Sequence, residues 1–204
     1  MIERKIELEV CFKTDLLEAG CDEAGRGCYA GPVFAAAVIL PQHFYHPLLN
    51  DSKQLKAPVR QELKFFIQEK ALAWAVAMVG VEEIDSINIL KASQKAMHLA
   101  LDALNPAAGH IAVDGNYFIP YKKISHQCFI KGDGRYANIA AASILAKTSR
   151  DEYMMKLHED FPHYNWFSNK GYGTLEHRNA IDIHGLCIHH RKSFNIVPRQ
   201  QNLF

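Results

Sequence analysis

Residues 21–32 read Cys21-Asp22-Glu23-Ala24-Gly25-Arg26-Gly27-Cys28-Tyr29-Ala30-Gly31-Pro32. Residues 16–21, just upstream, read as a strand, and residues 32–40, with Val33, Phe34, Val38 and Ile39, read as a second one. The quoted stretch is then the connection of a hairpin. Two adjacent acids directly after an apolar strand are poor packing residues, because a carboxylate taken out of water is costly unless a cation meets it. A metal ion is the economical cation. Neighbouring residues on a strand point to opposite faces, so Asp22 and Glu23 are expected to share one metal cluster where the strand twists out into its loop. The glycines supply that departure. As a dinucleotide fingerprint the stretch fails: three residues separate Gly27 from Gly31, and a strand follows where a helix is needed. Small residues still allow close backbone approach, so amides around Gly25, Arg26 and Gly27 are candidates to touch a sugar edge or a phosphate.

Outward from the hairpin, Pro58 suits the first turn of a helix running to about residue 70, and residues 72–81 read as another strand. Residues 86–104 have helical periodicity, with Leu90, Met97, Leu101 and Leu104 on one face and Asn105-Pro106 as the stop. Residues 111–114 form a short buried strand ended by Gly115-Asn116, and residues 135–159 a long helix. Its Ala137, Ala140, Ala141 and Ala142 permit close packing on a sheet. Strands first, then strands alternating with helices, predict an α/β fold: a mixed β-sheet flanked by helices. No repeat or linker interrupts residues 1–160, expected to form the main domain, and residues 161–204 are expected to be a small helical C-terminal appendage and tail.

Asp114 ends a short apolar strand, and Asp133 stands in Lys131-Gly132-Asp133-Gly134 before the long helix. Each alone suits a turn or a cap. With Asp22 and Glu23 they make four acids at strand ends and loops beside one sheet, an oxygen-only set suited to two hard divalent ions, Mg²⁺ or Mn²⁺.

The 204 residues are 49% hydrophobic and 22% charged, with 23 Lys plus Arg against 22 Asp plus Glu and a net charge of +1. That balance does not mark the whole molecule as a polyanion binder, so any nucleic-acid surface is local. Residues 168–199 are the candidate: Lys170, Arg178, Arg191, Lys192 and Arg199, with His177, His184, His189 and His190 among them, face Glu176 and Asp182. The five cysteines, an odd number without a C-x-x-C pair, point to a reduced interior. Residues 1–9 have no apolar signal core and residues 71–81 are too short to span a bilayer, so no membrane association and a cytoplasmic location are expected. His184, Cys187 and His189 lack a fourth ligand and a recognised zinc spacing.

The ordered blocks are more specific than any of these features. Asp22-Glu23-Ala24-Gly25-Arg26-Gly27 with Ala30-Gly31-Pro32, Asp51-Ser52-Lys53, Val113-Asp114-Gly115, Lys131-Gly132-Asp133, the run from Ala140 to Lys147 with Arg150-Asp151, Gly171-Tyr172-Gly173-Thr174, and His190-Arg191-Lys192-Ser193-Phe194 resemble the ribonuclease HII family in order. The resemblance covers roughly residues 16–194. It implies a ribonuclease H-like fold and metal-dependent endonucleolytic cleavage, by two-metal-ion catalysis with Mn²⁺ or Mg²⁺, of the RNA strand of RNA/DNA hybrids. It also implies cutting 5′ of ribonucleotides embedded in duplex DNA, leaving 3′-hydroxyl and 5′-phosphate ends. It assigns Asp22, Glu23, Asp114 and Asp133 as the metal-binding acids, Gly25-Arg26-Gly27 as the sensor of the ribose 2′-hydroxyl, and Tyr172 as the sensor of the RNA-to-DNA junction.

Lys53 and Lys147 are candidate phosphate contacts, with Arg150, Arg191 and Lys192 behind them, although Arg150-Asp151 also suits an ion pair on a helix. A resolvase or ribonuclease HIII on the same fold, a binding protein without catalysis, and a nucleotide-binding domain are the competing classes. Four intact acids speak against the second, and the loop spacing against the third. A monomer is expected. Gln200-Gln201-Asn202-Leu203-Phe204 resembles the short peptides by which bacterial DNA enzymes dock on the sliding clamp.

Overall fold

The computed structural model describes residues 8–49 and 55–196. Five strands form one sheet: β1 (Glu18–Ala24), β2 (Val33–Ile39), β3 (Ala73–Val79), β4 (His110–Asp114) and β5 (Ser125–Phe129), in the order β3-β2-β1-β4-β5. The β1/β2 and β2/β3 pairs are antiparallel, and the β1/β4 and β4/β5 pairs parallel. This is the expected mixed sheet. Its helices are α1 (Ala57–Lys70), α2 (Val81–Ile87), α3 (Ile89–Asp102), α4 (Ala137–Asp160), α5 (Trp166–Asn169) and α6 (Leu175–His184).

Alternation along the strands divides the core into two layers. Cys21, Val33, Ala35 and Ala37 pack with Ala92, Ala96 and Met97 of α3, while Ala24, Ala36 and Val38 pack with Leu63 of α1 and Ala140, Ala141 and Ile144 of α4. The alanines of α4 let it lie almost on the sheet: a Cβ at Gly20 would stand 2.2 Å from the Asn138 carbonyl carbon. A third core joins Ala30 of the glycine loop and Met154 of α4 to Tyr164, Trp166, Ala180 and Ile181. The C-terminal helices therefore pack directly on the glycine loop.

Three local expectations change. β1 continues through Asp22 and Glu23, which pair with Ala36 and Ala35, because the antiparallel partner β2 holds the ladder as far as Ala24; the chain leaves the sheet at Gly25. The helix expected over residues 86–104 is broken at Asn88 (φ 68°), whose side chain caps α3 by accepting from the Lys91 amide at 3.1 Å. Leu90 is exposed as a result, whereas Met97 and Leu101 are buried. The polar edge strand β5, Ser125-His126-Gln127-Cys128-Phe129, has no apolar run to announce it.

Candidate active site

The parallel β1/β4 ladder ends at the pair Cys21 and Val113, so Asp22 and Asp114 are the next residues on adjacent strands. From β1 the chain runs one way to β2 and β3, then crosses to β4 on the other side. Ligands of α/β sheets bind at such a reversal, outside the carboxyl ends of the strands. Asp22, like Gly20 and Ala24, faces α4; it is 5% exposed, and its carboxylate accepts hydrogen bonds from Ser143 and, at 2.7 Å, from the Glu23 amide. Burial first, then the charges of Glu23 and Asp114, raise its carboxyl well above the usual carboxylate range despite those two bonds.

The other acids are restrained from different directions. Glu23 Oε1 accepts from Arg26 Nη1 at 3.0 Å, and Asp114 Oδ1 accepts from the Gly132 amide at 2.7 Å. Asp133, also buried, follows Gly132 in the 3₁₀ turn Gly132–Gly134 beyond β5. A Cβ at Gly132 would meet Ile139 Cδ1 at 2.7 Å, so glycine lets this turn sit against α4. The structure thus brings Asp22, Glu23 and Asp114 into one electrostatic cluster, with Asp133 one residue from the amide that holds Asp114. Among the described residues, no three acids, histidines or cysteines already close into a metal cage. The all-oxygen donor set and a buried carboxyl raised by like charges fit hard divalent cations.

Two buried arginines fold the glycine loop over this edge. Arg150 donates to the carbonyls of Pro32 (Nε, 3.0 Å), Ala30 (Nη2, 3.0 Å) and Lys170 (Nη1, 2.8 Å), and Arg191 to those of Gly31 (Nε, 2.9 Å) and Arg26 (Nη1, 2.9 Å). Both are at most 1% exposed, which overturns their assignment to phosphate contact; they hold carbonyls that the loop geometry leaves without ladder partners. Asp151 is not the ion partner of Arg150, since it pairs with Lys147 and with Arg60. Gly25 (φ +96°) is required by the fold itself, as a Cβ there would stand 2.0 Å from Arg150 Nε. Gly27 is different: it is exposed, and a Cβ would meet nothing within 4 Å.

Tyr172 lies beside the loop, bridged through its backbone to Cys28. Gly171 and Gly173 leave room for the backbone of Ala30 and the ring of Tyr29. The Tyr172 side chain is 42% exposed, and Lys147 Nζ, drawn to Asp151, is 6.0 Å from its ring centre. The expected basic patch is only partly at the surface. His177, His190 and Arg191 are fully buried, and Lys192 is exposed. Lys53, Arg199 and the segment Gln200 to Phe204 lie outside the described residues. Sequence reasoning passed over Ser143, whose hydroxyl meets Asp22, since a serine among the alanines of α4 looks like one more small packing residue.

A family model described as ribonuclease HII matches residues 19–197. Ribonuclease HII of Christiangramia forsetii is 58% identical over 189 residues, covering 93% of this chain and 96% of the relative. Among solved structures, that of the PCNA:RNase HII complex from Archaeoglobus fulgidus matches with a TM-score of 0.75 and 26% identity, covering 91% of this chain and 98% of that one. Bst-RNase HIII in complex with Mn²⁺ matches with a TM-score of 0.63 and 19% identity over 82% of this chain and 62% of that one, a likeness of fold.

Proposed function

Because the chain belongs to the ribonuclease HII family, we propose that Asp22, Glu23, Asp114 and Asp133 are the acids with which this metal-dependent endoribonuclease performs its reaction. The enzyme hydrolyses the RNA strand of RNA/DNA hybrids and cuts at ribonucleotides in duplex DNA. The observation that carries the site assignment is the burial of Asp22 next to Asp114 at the carboxyl ends of two parallel strands, with Glu23 and Asp114 raising its carboxyl. Bound divalent ions, Mg²⁺ or Mn²⁺, would neutralise the phosphodiester, activate a water and stabilise the leaving oxygen.

The chain's own part is to hold four carboxylates at one edge and to admit the right strand. Ser143 and the Glu23 amide orient Asp22, and the Gly132 amide orients Asp114. The open space over Gly27 and the exposed Arg26 suit the sugar edge of a ribonucleotide, whose 2′-hydroxyl is both donor and acceptor. Recognition through that hydroxyl, without its acting as nucleophile, leads to cutting 5′ of the ribonucleotide with 3′-hydroxyl and 5′-phosphate ends. Tyr172, half exposed beside the loop, meets the following deoxyribose, and Lys147 and Lys53 are assigned to phosphates. In the same reading residues 1–160 are the catalytic domain, and 161–204 an appendage that supplies Tyr172. The location is cytoplasmic; among the described residues no helix is long and apolar enough to cross a membrane.

Cleavage of a DNA duplex containing one ribonucleotide, with Mg²⁺, Mn²⁺ or chelator, tests the reading. Cutting 5′ of the ribonucleotide with either ion and none with chelator is expected; cutting that survives chelation would remove the acids from their proposed role. The solved complex of the archaeal relative with PCNA supports a second proposal, docking of Gln200–Phe204 on a sliding clamp. The full chain is expected to bind the clamp from its own organism, and a chain ending at Arg199 to lose that binding.

A further inference from the structure

The backbone of Tyr172 is held by a buried pair of histidine rings, His177 and His190, both 0% exposed. Hydrogen bonding fixes which nitrogen of each ring carries the proton. His190 Nδ1 accepts from the Cys187 amide at 3.0 Å, with the Cys187 sulfur 3.2 Å away. A neutral imidazole has one N–H, so that of His190 is on Nε2, which lies 3.1 Å from His177 Nε2. His177 Nε2 also receives the indole N–H of Trp166 at 3.1 Å, and indole can only donate. His177 must therefore carry its proton on Nδ1, which donates to the Tyr172 carbonyl at 2.9 Å. The bonds run in one direction, from Cys187 through His190 and His177 to Tyr172, with the single lone pair of His177 Nε2 shared between the N–H groups of His190 and Trp166.

Tyr172 is held at several points, and its carbonyl is one of them. Its amide donates to the Asn169 carbonyl at 2.9 Å, the Gly171 carbonyl accepts from the Tyr29 amide at 2.8 Å, and its backbone bridges to Cys28. The Tyr172 carbonyl also accepts the Thr174 amide at 2.8 Å, which ties the peptide to the first turn of α6 but not to the core. At the carbonyl itself, the tie to the core is His177. Burial, the first cause for both rings, keeps them neutral in neutral solution, as this arrangement requires.

We propose that His177 is a positioning residue for junction recognition: its Nδ1–H pins the Tyr172 carbonyl, in a tautomer imposed by Trp166 and His190, and so sets where the phenol ring stands on the substrate path. This rests on the reading of Tyr172 as the residue that meets the junction. Two measurements test it. Nitrogen NMR of the wild-type imidazoles is expected to show His177 protonated on Nδ1 and His190 on Nε2; the reverse for His177 overturns the proposal whatever the variants do.

The second measurement is the ratio of kcat/KM on a duplex with one embedded ribonucleotide to kcat/KM on a long RNA/DNA hybrid. His177→Asn, whose amide N–H takes the place of Nδ1–H, is expected to keep the ratio. His177→Leu is expected to lower it about tenfold, the size of one buried hydrogen bond. Equal losses on both substrates with either variant, or failure of both to fold, makes the ring pair a structural element and sinks the idea. Tyr172→Ala, measured alongside, separates the two readings. An unchanged ratio there removes the premise about Tyr172, whereas a lowered ratio with His177→Leu unaffected removes the proposal about His177.

Discussion

A Cβ placed on Gly25 would stand 2.0 Å from the Nε of Arg150, and the same Nε donates to the Pro32 carbonyl at 3.0 Å. The guanidinium that shapes the exit of the glycine loop therefore also forbids a side chain at its entrance. Gly25→Ala adds this clash to a φ of +96° that L side chains rarely adopt, and should destabilise the fold by about 3 kcal/mol. Gly27→Ala meets no atom, so its melting temperature should stay within a degree or so of wild type. If Gly27 marks the path of the ribose, that second variant still loses cleavage. Thermal melts beside kinetics on both proteins check the contrast, and equal melting temperatures would show that Arg150 does not constrain residue 25.

Replacing Arg150 by methionine removes three donors from the carbonyls of Ala30, Pro32 and Lys170 while keeping most of the volume. Leaving buried carbonyls unpaired costs about 1–3 kcal/mol each where water cannot reach them. Arg150→Met should therefore melt well below wild type and lose cleavage of both RNA/DNA hybrids and single ribonucleotides. Arg60→Met, on the far side of Asp151, should affect neither strongly. A phosphate-contact role for Arg150 predicts a different pattern, with unchanged melting and weakened substrate binding.

Asp22→Asn should abolish cleavage and yet raise stability in chelator, by about 1 kcal/mol, because it removes a buried charge that Glu23 and Asp114 repel. Added Mg²⁺ or Mn²⁺ should stabilise the wild type by mass action and the variant much less. Melting curves with and without the ion decide it. An equal ion-induced shift in both proteins would place Asp22 outside the metal-binding set.

The buried histidine pair gives a pH dependence with a definite sign. Burial, followed by the charge of His177, lowers His190 to about 4 from an ordinary 6.5. Burial lowers His177 as well, with the bond to the Tyr172 carbonyl opposing and Glu176 opposing less. The Cys187 thiol and the Tyr164 phenol ring also face His190, and His189 and His163 are further titratable neighbours. Below pH 6.5 the unfolded chain takes up a proton that folded His190 refuses, so stability is complete above that value and falls as the pH drops towards 4, by about 3 kcal/mol. His190→Gln, which retains a donor toward His177, should flatten the fall over that window. A wild-type melting temperature independent of pH from 6.5 to 4 contradicts a neutral buried ring.

What the sequence revealed, and what it hid, follows from where each residue finds its partner. Asp22 and Glu23 stood out because acids beside an apolar strand need an explanation in any fold. The mixed sheet was readable because β2 and β4 are short apolar runs bounded by glycine and proline. β5 was not, since an edge strand exposed on one face carries polar residues like a loop. Arg191 looked like a surface cation in a basic segment and Arg150 like a phosphate contact or a helix ion pair with Asp151, and their burial depends on carbonyls of Ala30, Gly31 and Pro32, more than a hundred residues away in the chain. His177 and His190 misled for a different reason: their partners, Trp166, Cys187 and the Tyr172 carbonyl, are near in the chain, but no spacing in the sequence announces that they bond to the rings.

The phenol of Tyr172 and the thiol of Cys28 are hydrogen-bonded to each other, and their backbones form an antiparallel bridge. The residue is thus tied at both ends, by Cys28 at the phenol hydroxyl and by His177 at the backbone carbonyl. Stacking on a deoxyribose uses the face of the ring, whereas the thiol uses its hydroxyl. Tyr172→Phe keeps the face and should retain most of the preference for a single embedded ribonucleotide over a long hybrid, losing about threefold for one weak bond. Tyr172→Ala removes the face and should lose that preference almost entirely, with hybrid cleavage reduced far less. Cys28→Ala should resemble Tyr172→Phe, because both delete the same bond from opposite sides, and the double variant should be no worse than either single one. Independent, multiplicative losses in the double variant would show that the thiol and the phenol act separately, and an alanine at 172 that lowers both substrates equally would return Tyr172 to general binding.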